Sequence, residues 1–260
     1  MGSSAHDETL VRPLGDQRAS YEVDDEIAYF NTANLSPLLH SVRAAGEEAL
    51  ARRARPWTIS AEDWFVDVEE LRSQCARLIG GAEDEVALVP ATSYGLSVVA
   101  HNLTASAGDR VLVLDDEFPS NYYTWKRFTQ RTGADLVVVT RDPDQNWTEA
   151  ILEAVDERVA IASVPNAHWT NGALVDLERV APALREAGSA FVVDASQSLG
   201  AMPLDVALLR PDALVAVGYK WMLGPFSLGY LYLDSRLHHG EPLEENWILR
   251  AGSEDFSRLV

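Results

Sequence analysis

A single cysteine, Cys75, stands in 260 residues, so no disulfide closes within the chain and no cysteine-rich metal site can be built from it. Cysteine usage this sparse is the habit of reducing compartments, and the cytoplasm is the expected location. No run approaches the about 20 apolar residues of a membrane span, and the N-terminus lacks a charged-then-apolar leader pattern. Basic residues are scarce as well: 21 Lys and Arg face 40 Asp and Glu, a net charge of −19. That balance argues against nucleic acid or an anionic membrane as partner. No Gly-x-Gly-x-x-Gly follows any apolar run, which leaves a nucleotide-binding α/β protein the weakest reading.

What is present suits one large core: 47% of the residues are hydrophobic and 23% charged. Residues 1–25 are polar and acidic with little periodicity and read as a flexible arm. Ile27–Phe30 reads as a short strand before a polar loop, followed by helices over about 37–53 and 61–79, the second stopping at Gly80-Gly81. Between them Arg52-Arg-Ala-Arg55 is a basic knot in an acidic chain, a solvated helix end or an anion-binding group. Cys75 falls inside the second helical pattern and reads as a packed, unreactive thiol.

From Glu85 the pattern alternates strand and helix. Strands are expected at 86–90, 110–114, 135–139, 159–164, 190–193 and 213–217, with helices near 93–103, 120–132, 148–155 and 177–187. Runs such as Val-Leu-Val-Leu belong to strands covered on both faces. The expected fold is therefore α/β, a three-layer sandwich around a mostly parallel sheet, with 224–233 returning as one antiparallel strand. Ligands of such sheets sit beyond the carboxyl ends of the strands, which is where chemistry is sought.

Five strand ends carry it. Thr92 and Ser93 open a helix whose free N–H groups attract phosphate, though taken alone they read more simply as an ordinary N-cap. Phe118, before a proline, offers a flat ring to a planar ligand or simply a core aromatic. Asn166 is a neutral donor and acceptor; His168 is a base or a solvated loop residue. Asp194 follows an apolar strand directly, a costly place for a carboxylate without a cation or proton donor, and Gln197 follows it by one turn. Lys220 ends the last apolar run in a Gly- and aromatic-rich turn, either snorkelling to water or buried as a free amine that attacks a carbonyl. A phosphate cradle, a flat ring, a buried carboxylate and a lysine are together the needs of pyridoxal phosphate. No metal ligand set is expected.

Residues of about 27–255 resemble class V of the fold-type I pyridoxal-phosphate enzymes, the group of cysteine desulfurases, selenocysteine lyases, kynureninases and isopenicillin N epimerase-like proteins. Asp194-Ala-Ser-Gln197 resembles the family's Asp-x-x-Gln, and Gly218-Tyr-Lys-Trp-Met-Leu-Gly-Pro225 its Gly-His-Lys-x-x-Gly-Pro. The resemblance implies that Lys220 forms the Schiff base, Asp194 holds the pyridine nitrogen, and Gln197 and Asn166 meet the phenolic oxygen. It implies Thr92 and Ser93 for the phosphate, Phe118 in the stacking position, and Tyr219 as a phosphate contact in the kynureninase manner. Val217 replaces a serine that many members use for phosphate. Arg250–Phe256 resembles the loop that crosses to a neighbouring subunit, so Gly252 and Ser253 would serve the partner's cofactor in a homodimer with shared sites.

The domain expectation is a large cofactor-binding domain over 26–260, with the family's C-terminal small domain absent or truncated. Relatives keep a substrate-binding arginine there, a role for which Arg52, Arg53 or Arg55 is the candidate substitute. The expected activity is chemistry on an amino acid or amine: C–S lyase, transamination or epimerisation. The alternative is a domain of this fold without catalysis, acting as a dimerising or regulatory partner.

Overall fold

The computed structural model describes residues 15–258. Most of the arm expected over residues 1–25 lies outside the described residues, as do positions 259–260. From Gly15 the chain makes one 3-10 turn (Arg18–Ser20) and a lone bridge between Tyr21 and Leu39. The strand expected at 27–30 does not form: those residues are irregular and no neighbouring strand lies beside them. Helix α1 starts at His40 rather than Pro37 and ends at Arg53; α2 runs Val66–Ile79 after a 3-10 turn over Glu62–Trp64. Gly80 closes α2 at φ +69°, the left-handed stop read from the sequence.

The alternating half follows as β1 (Val86–Val89), α3 (Thr92–Asn102), β2 (Arg110–Leu114), α4 (Pro119–Thr132), β3 (Asp135–Val139), α5 (Trp147–Ala154) and β4 (Val159–Pro165). It continues through α6 (Leu177–Ala187), β5 (Ala190–Asp194), α7 (Val206–Leu209), β6 (Ala213–Val217) and β7 (Gly229–Leu233). The seven strands lie in the order β1-β7-β6-β5-β4-β2-β3. Only β7 runs against its neighbours, pairing antiparallel with both β1 and β6.

Both faces of the sheet are covered, which is why its strands are apolar along their whole length. Val111, Val113, Val192, Val215 and Leu231 face α3 and α4, meeting Leu96, Trp125 and Phe128. Their sequence neighbours Leu112, Leu114, Val193, Leu214 and Tyr232 face the other way, against Ile79, Ile151, Val180 and Leu184. This is the period-two alternation of a pleated strand carried into two separate cores. Cys75 belongs to the second core; burial raises its thiol to about 12, the inert cysteine expected from its helical setting.

Helix α1 differs from the rest, for none of its residues is buried within the single chain. Nearby Phe30, Leu50 and Trp57 are also exposed, at 93%, 74% and 80%.

Candidate active site

β5 and β6 are parallel neighbours, with Asp194 opposite Val215. Asp194 is therefore the last residue of its strand at the edge where β6 leaves the sheet. Beyond Val217 a tight turn closes through Gly224 N–H to Gly218 O (2.8 Å) and Leu223 N–H to Lys220 O (3.1 Å), and brings Lys220 back over the strand ends. Its partner is the turn after Asp194. Gly200, at φ +93°, passes so close to Trp221 that a Cβ there would lie 2.5 Å from the Trp221 carbonyl oxygen. Only glycine allows the two turns to meet.

A cavity open to solvent, about 560 Å³ with the solvent space at its mouth included, lies between them, lined among others by Asp194, Lys220, Glu117, Phe118, Tyr219 and Thr92. Lys220 is 7% exposed and its Nζ sits 5.3 Å from the centroid of the Phe118 ring. Burial pulls its ammonium below the usual lysine range, with the Asp194 carboxylate acting the other way. Asp194 is 5% exposed; burial raises its carboxyl, opposed by Ser196, whose N–H donates to Oδ1 at 2.9 Å, and by Lys220. Burial disfavours both charges, and each favours the charged form of the other.

Helix α3 points its N-terminus into the same cavity. The residue in the cap position is Ala91, which has no polar side chain, so the helix start is uncapped. That corrects the ordinary-cap reading of Thr92 and Ser93. Thr92 is instead the first helical residue, its hydroxyl 2.9 Å from that of Ser196. The open N–H groups and the helix dipole favour an anion here. Gly95 presses the helix against β6: a Cβ would stand 2.8 Å from Val215 Cγ1.

Of the residues singled out in the sequence, Thr92, Ser93, Phe118, Asp194, Gln197, Tyr219 and Lys220 line this one cavity, and so does Val217. Gln197 has both ends of its amide in use, donating to Ala33 O at 3.0 Å and accepting from Trp221 Nε1 at 3.1 Å. Tyr219 packs on Phe226 at 4.6 Å, and burial raises its phenol.

The others lie elsewhere. Asn166 turns its amide to Val175 O (3.2 Å) and borders a different cavity, beside α6 and α7. The strand end was right, but the side chain points down the opposite face. His168, expected as a base, is 2% exposed and stacked on Trp147 at 5.2 Å. Its Nε2 meets Asp115 O at 3.0 Å, which requires Nε2–H, and its Nδ1 accepts from Thr170 Oγ1 at 2.8 Å. With both nitrogens committed it holds a loop in place rather than moving protons. Gly252 and Ser253 do not border their own chain's cavity; the Ser253 hydroxyl donates to Ile248 O at 3.3 Å. Arg52 is paired with Asp63 (3.2 Å) and Asp67 (3.7 Å), and Arg52, Arg53 and Arg55 are not among the residues lining the cavity.

Among the cavity residues that escaped the sequence reading, Ser120, Trp169 and Ser196 included, Glu117 is the ionisable one. Glu117, between β2 and α4, is 8% exposed. The signal was available, for it is an acid just past an apolar strand, as Asp194 is; two exposed aspartates, Asp115 and Asp116, precede it and make it look like part of a solvated acidic run.

The model of the aminotransferase class-V family matches residues 48–245. The chain is 30% identical over 225 residues to a probable cysteine desulfurase of Pyrococcus abyssi, covering 84% of this chain and 56% of that one. It is 26% identical over 257 residues to the kynureninase of Deinococcus radiodurans, covering 95% and 61%. Among solved structures, the apo cysteine desulfurase from Thermococcus onnurineus superposes with a TM-score of 0.73 at 22% identity, over 85% of this chain and 56% of that one. The chain thus spans about half the length of the curated relatives it matches. The match over three quarters of the sequence, on a sheet whose strand ends gather the lysine, the aspartate and the helix start, means that the chain belongs to the aminotransferase class-V family.

Proposed function

We propose that this chain is the cofactor-binding part of a pyridoxal-phosphate-dependent enzyme acting on an amino acid or amine. The observation that carries the reading is the pair of buried opposite charges, Asp194 and Lys220, lining one cavity with an uncapped helix start. The donor set suits that cofactor: a carboxylate for a ring N–H, an aromatic face at Phe118, an amine, and free N–H groups for a phosphate. A solved neighbour, C-DES, carries glycine covalently linked to its PLP cofactor. When bound, pyridoxal phosphate supplies an electrophilic carbonyl and a ring that accepts electrons.

The chain's own residues do the rest. The start of α3 with Thr92 and Ser93 anchors the phosphate. Asp194 orients the ring and keeps its nitrogen protonated. Phe118 covers one face and excludes water from it. Burial raises the neutral fraction of the Lys220 amine, so Nζ would be available as the nucleophile toward the cofactor's carbonyl and as the base for a proton on the substrate's α-carbon. Cys75, inert on α2 and away from the cavity, gives no support to a route through a cysteine nucleophile of this segment. Lyase, transamination and epimerisation all begin with these same groups. A homodimer with shared sites is part of the proposal, and the uncovered apolar residues about α1 are its support.

Borohydride reduction of the cofactor-loaded protein, followed by peptide mapping, tests the assignment: the cofactor's carbon is expected on Lys220 Nζ, and a label elsewhere would overturn it. Turnover of an amino-acid panel, scored for pyruvate, keto acid or inverted product, separates catalysis from a purely regulatory domain.

A further inference from the structure

Glu117 is the outlying charge of the cavity. Its Oε1 accepts the Phe118 N–H at 2.8 Å, but its Oε2 is buried with no hydrogen-bond partner. A carboxylate left so is strongly disfavoured, whereas a carboxylic acid in the same place carries a hydrogen to donate. The groups that share the cavity explain which form is favoured. β5 and the turn after it bring Asp194 and Ser196, the turn after β6 brings Tyr219 and Lys220, α3 brings Thr92 and Ser93, and the end of β4 with the segment after it brings Pro165, Ala167 and Trp169. Asp194 is the ionisable acid among them and Lys220 the base, and two ionised carboxyls would outnumber that single cation. On α4 behind it, Asn121 spends its carbonyl oxygen on Ser163 and Trp125, at 2.7 and 2.8 Å. Burial first, and the Asp194 charge second, raise the Glu117 carboxyl to about 8, against the smaller lowering pull of the Phe118 N–H, the Asn121 side chain and the Leu114 backbone.

We propose that Glu117 and Asp194 work as an acid–carboxylate pair at the cavity wall, in which Glu117 keeps the proton on its unpartnered Oε2 as a hydrogen-bond donor for a ligand while Asp194 carries the one negative charge. The ligand this selects is a flat ring with a protonated nitrogen for Asp194 and an oxygen acceptor for Glu117. Glu117 is a positioning residue here, since it acts through the charge state of Asp194 and through the placing of that acceptor. The proton assignment stands without the cofactor reading; the ligand class rests on it.

The test separates the two. Infrared difference spectra of cofactor-free protein carrying carbon-13-labelled glutamate are expected to show the carbonyl stretch of a protonated acid at neutral pH, fading as pH passes about 8. Glu117→Gln should lack that band, and Asp194→Asn should move its loss to lower pH. A wild-type spectrum without the band, or a band kept in Glu117→Gln, would overturn the pair, and the wild-type measurement needs no variant to fold. With pyridoxal phosphate as probe, the wild-type Kd should weaken relative to that of Glu117→Gln by up to tenfold per pH unit above about 8. Identical pH profiles would remove the role towards the ligand while leaving the infrared result to decide the proton.

Discussion

Gly95→Ala is the sharpest test of how the helix start reaches the site. The added Cβ would stand 2.8 Å from Val215 Cγ1 and 3.3 Å from Cγ2, where relaxed carbon contacts sit at about 3.5–4.0 Å. Val215 cannot give way easily: it is 0% exposed, β-branched, and held in β6 between β5 and β7. Overpacking of this kind costs about 1–3 kcal/mol, against about 1 kcal/mol gained by replacing a helical glycine with alanine. The net expectation is a loss of up to about 2 kcal/mol, a fall of up to several degrees in Tm at about 2–4 °C per kcal/mol for a chain of this size. Gly46→Ala, in α1 with nothing within 4 Å of the new methyl group, supplies the control and should stabilise by up to about 1 kcal/mol. The same substitution thus has opposite signs at two helical sites. Val215→Ala should partly rescue Gly95→Ala, giving a coupling of about 1–3 kcal/mol in a double-mutant cycle. Displacing α3 should also weaken phosphate-bearing ligands more than dephosphorylated ones. Thermal melts and denaturant titrations of the wild type and the four variants read all of this; a Gly95→Ala protein as stable as Gly46→Ala, or strict additivity with Val215→Ala, would refute the close-approach argument.

The burial of Glu117 makes stability depend on pH. Its folded carboxyl lies near 8 and its ordinary value is 4.5, so the native state binds the extra proton and stability falls as pH rises between those values. At about 1.4 kcal/mol per unit the loss is a few kcal/mol at most, and Glu117→Gln should gain stability over the wild type between pH 5.5 and 8.5 in urea titrations. His168→Ala should cost about 3 kcal/mol through the lost stack on Trp147, yet leave the pH profile of cofactor binding unchanged; a shifted profile would restore the base. Cys75 should resist alkylation in native protein and react at once in denaturant, because its thiol is buried and pushed up to about 12. Asp194→Asn should lower ligand affinity and raise the neutral fraction of Lys220, since the carboxylate that favours its charged form is gone; reductive labelling of Nζ against pH would register the change.

The apolar runs of the sequence were enough to place six strands within a residue or two, because a strand buried on both faces has no other way to be written. Asp194 and Lys220 were legible for the same reason: an ionisable group at the end of such a run is expensive unless it has a partner. Ile27–Phe30 deceived because a few apolar residues make a strand only where a sheet edge receives them, and none is beside this segment.

Local sequence therefore determined the layers, the strands and the two opposed charges of the site. What it left undecided was direction. Asn166 and His168 leave β4 at the same end as the cavity, yet one is drawn to Val175 and the other to Asp115 and Thr170. Glu117 sits in an acidic run that reads as solvent-facing, yet the packing of α4 on β2 turns it inward beside Asp194. Those choices are made by which hydrogen-bond partners the fold brings within reach, from two residues away (Thr170) to 53 (Asp115), and by which face the neighbouring helix covers, quantities that exist only once the sheet has formed.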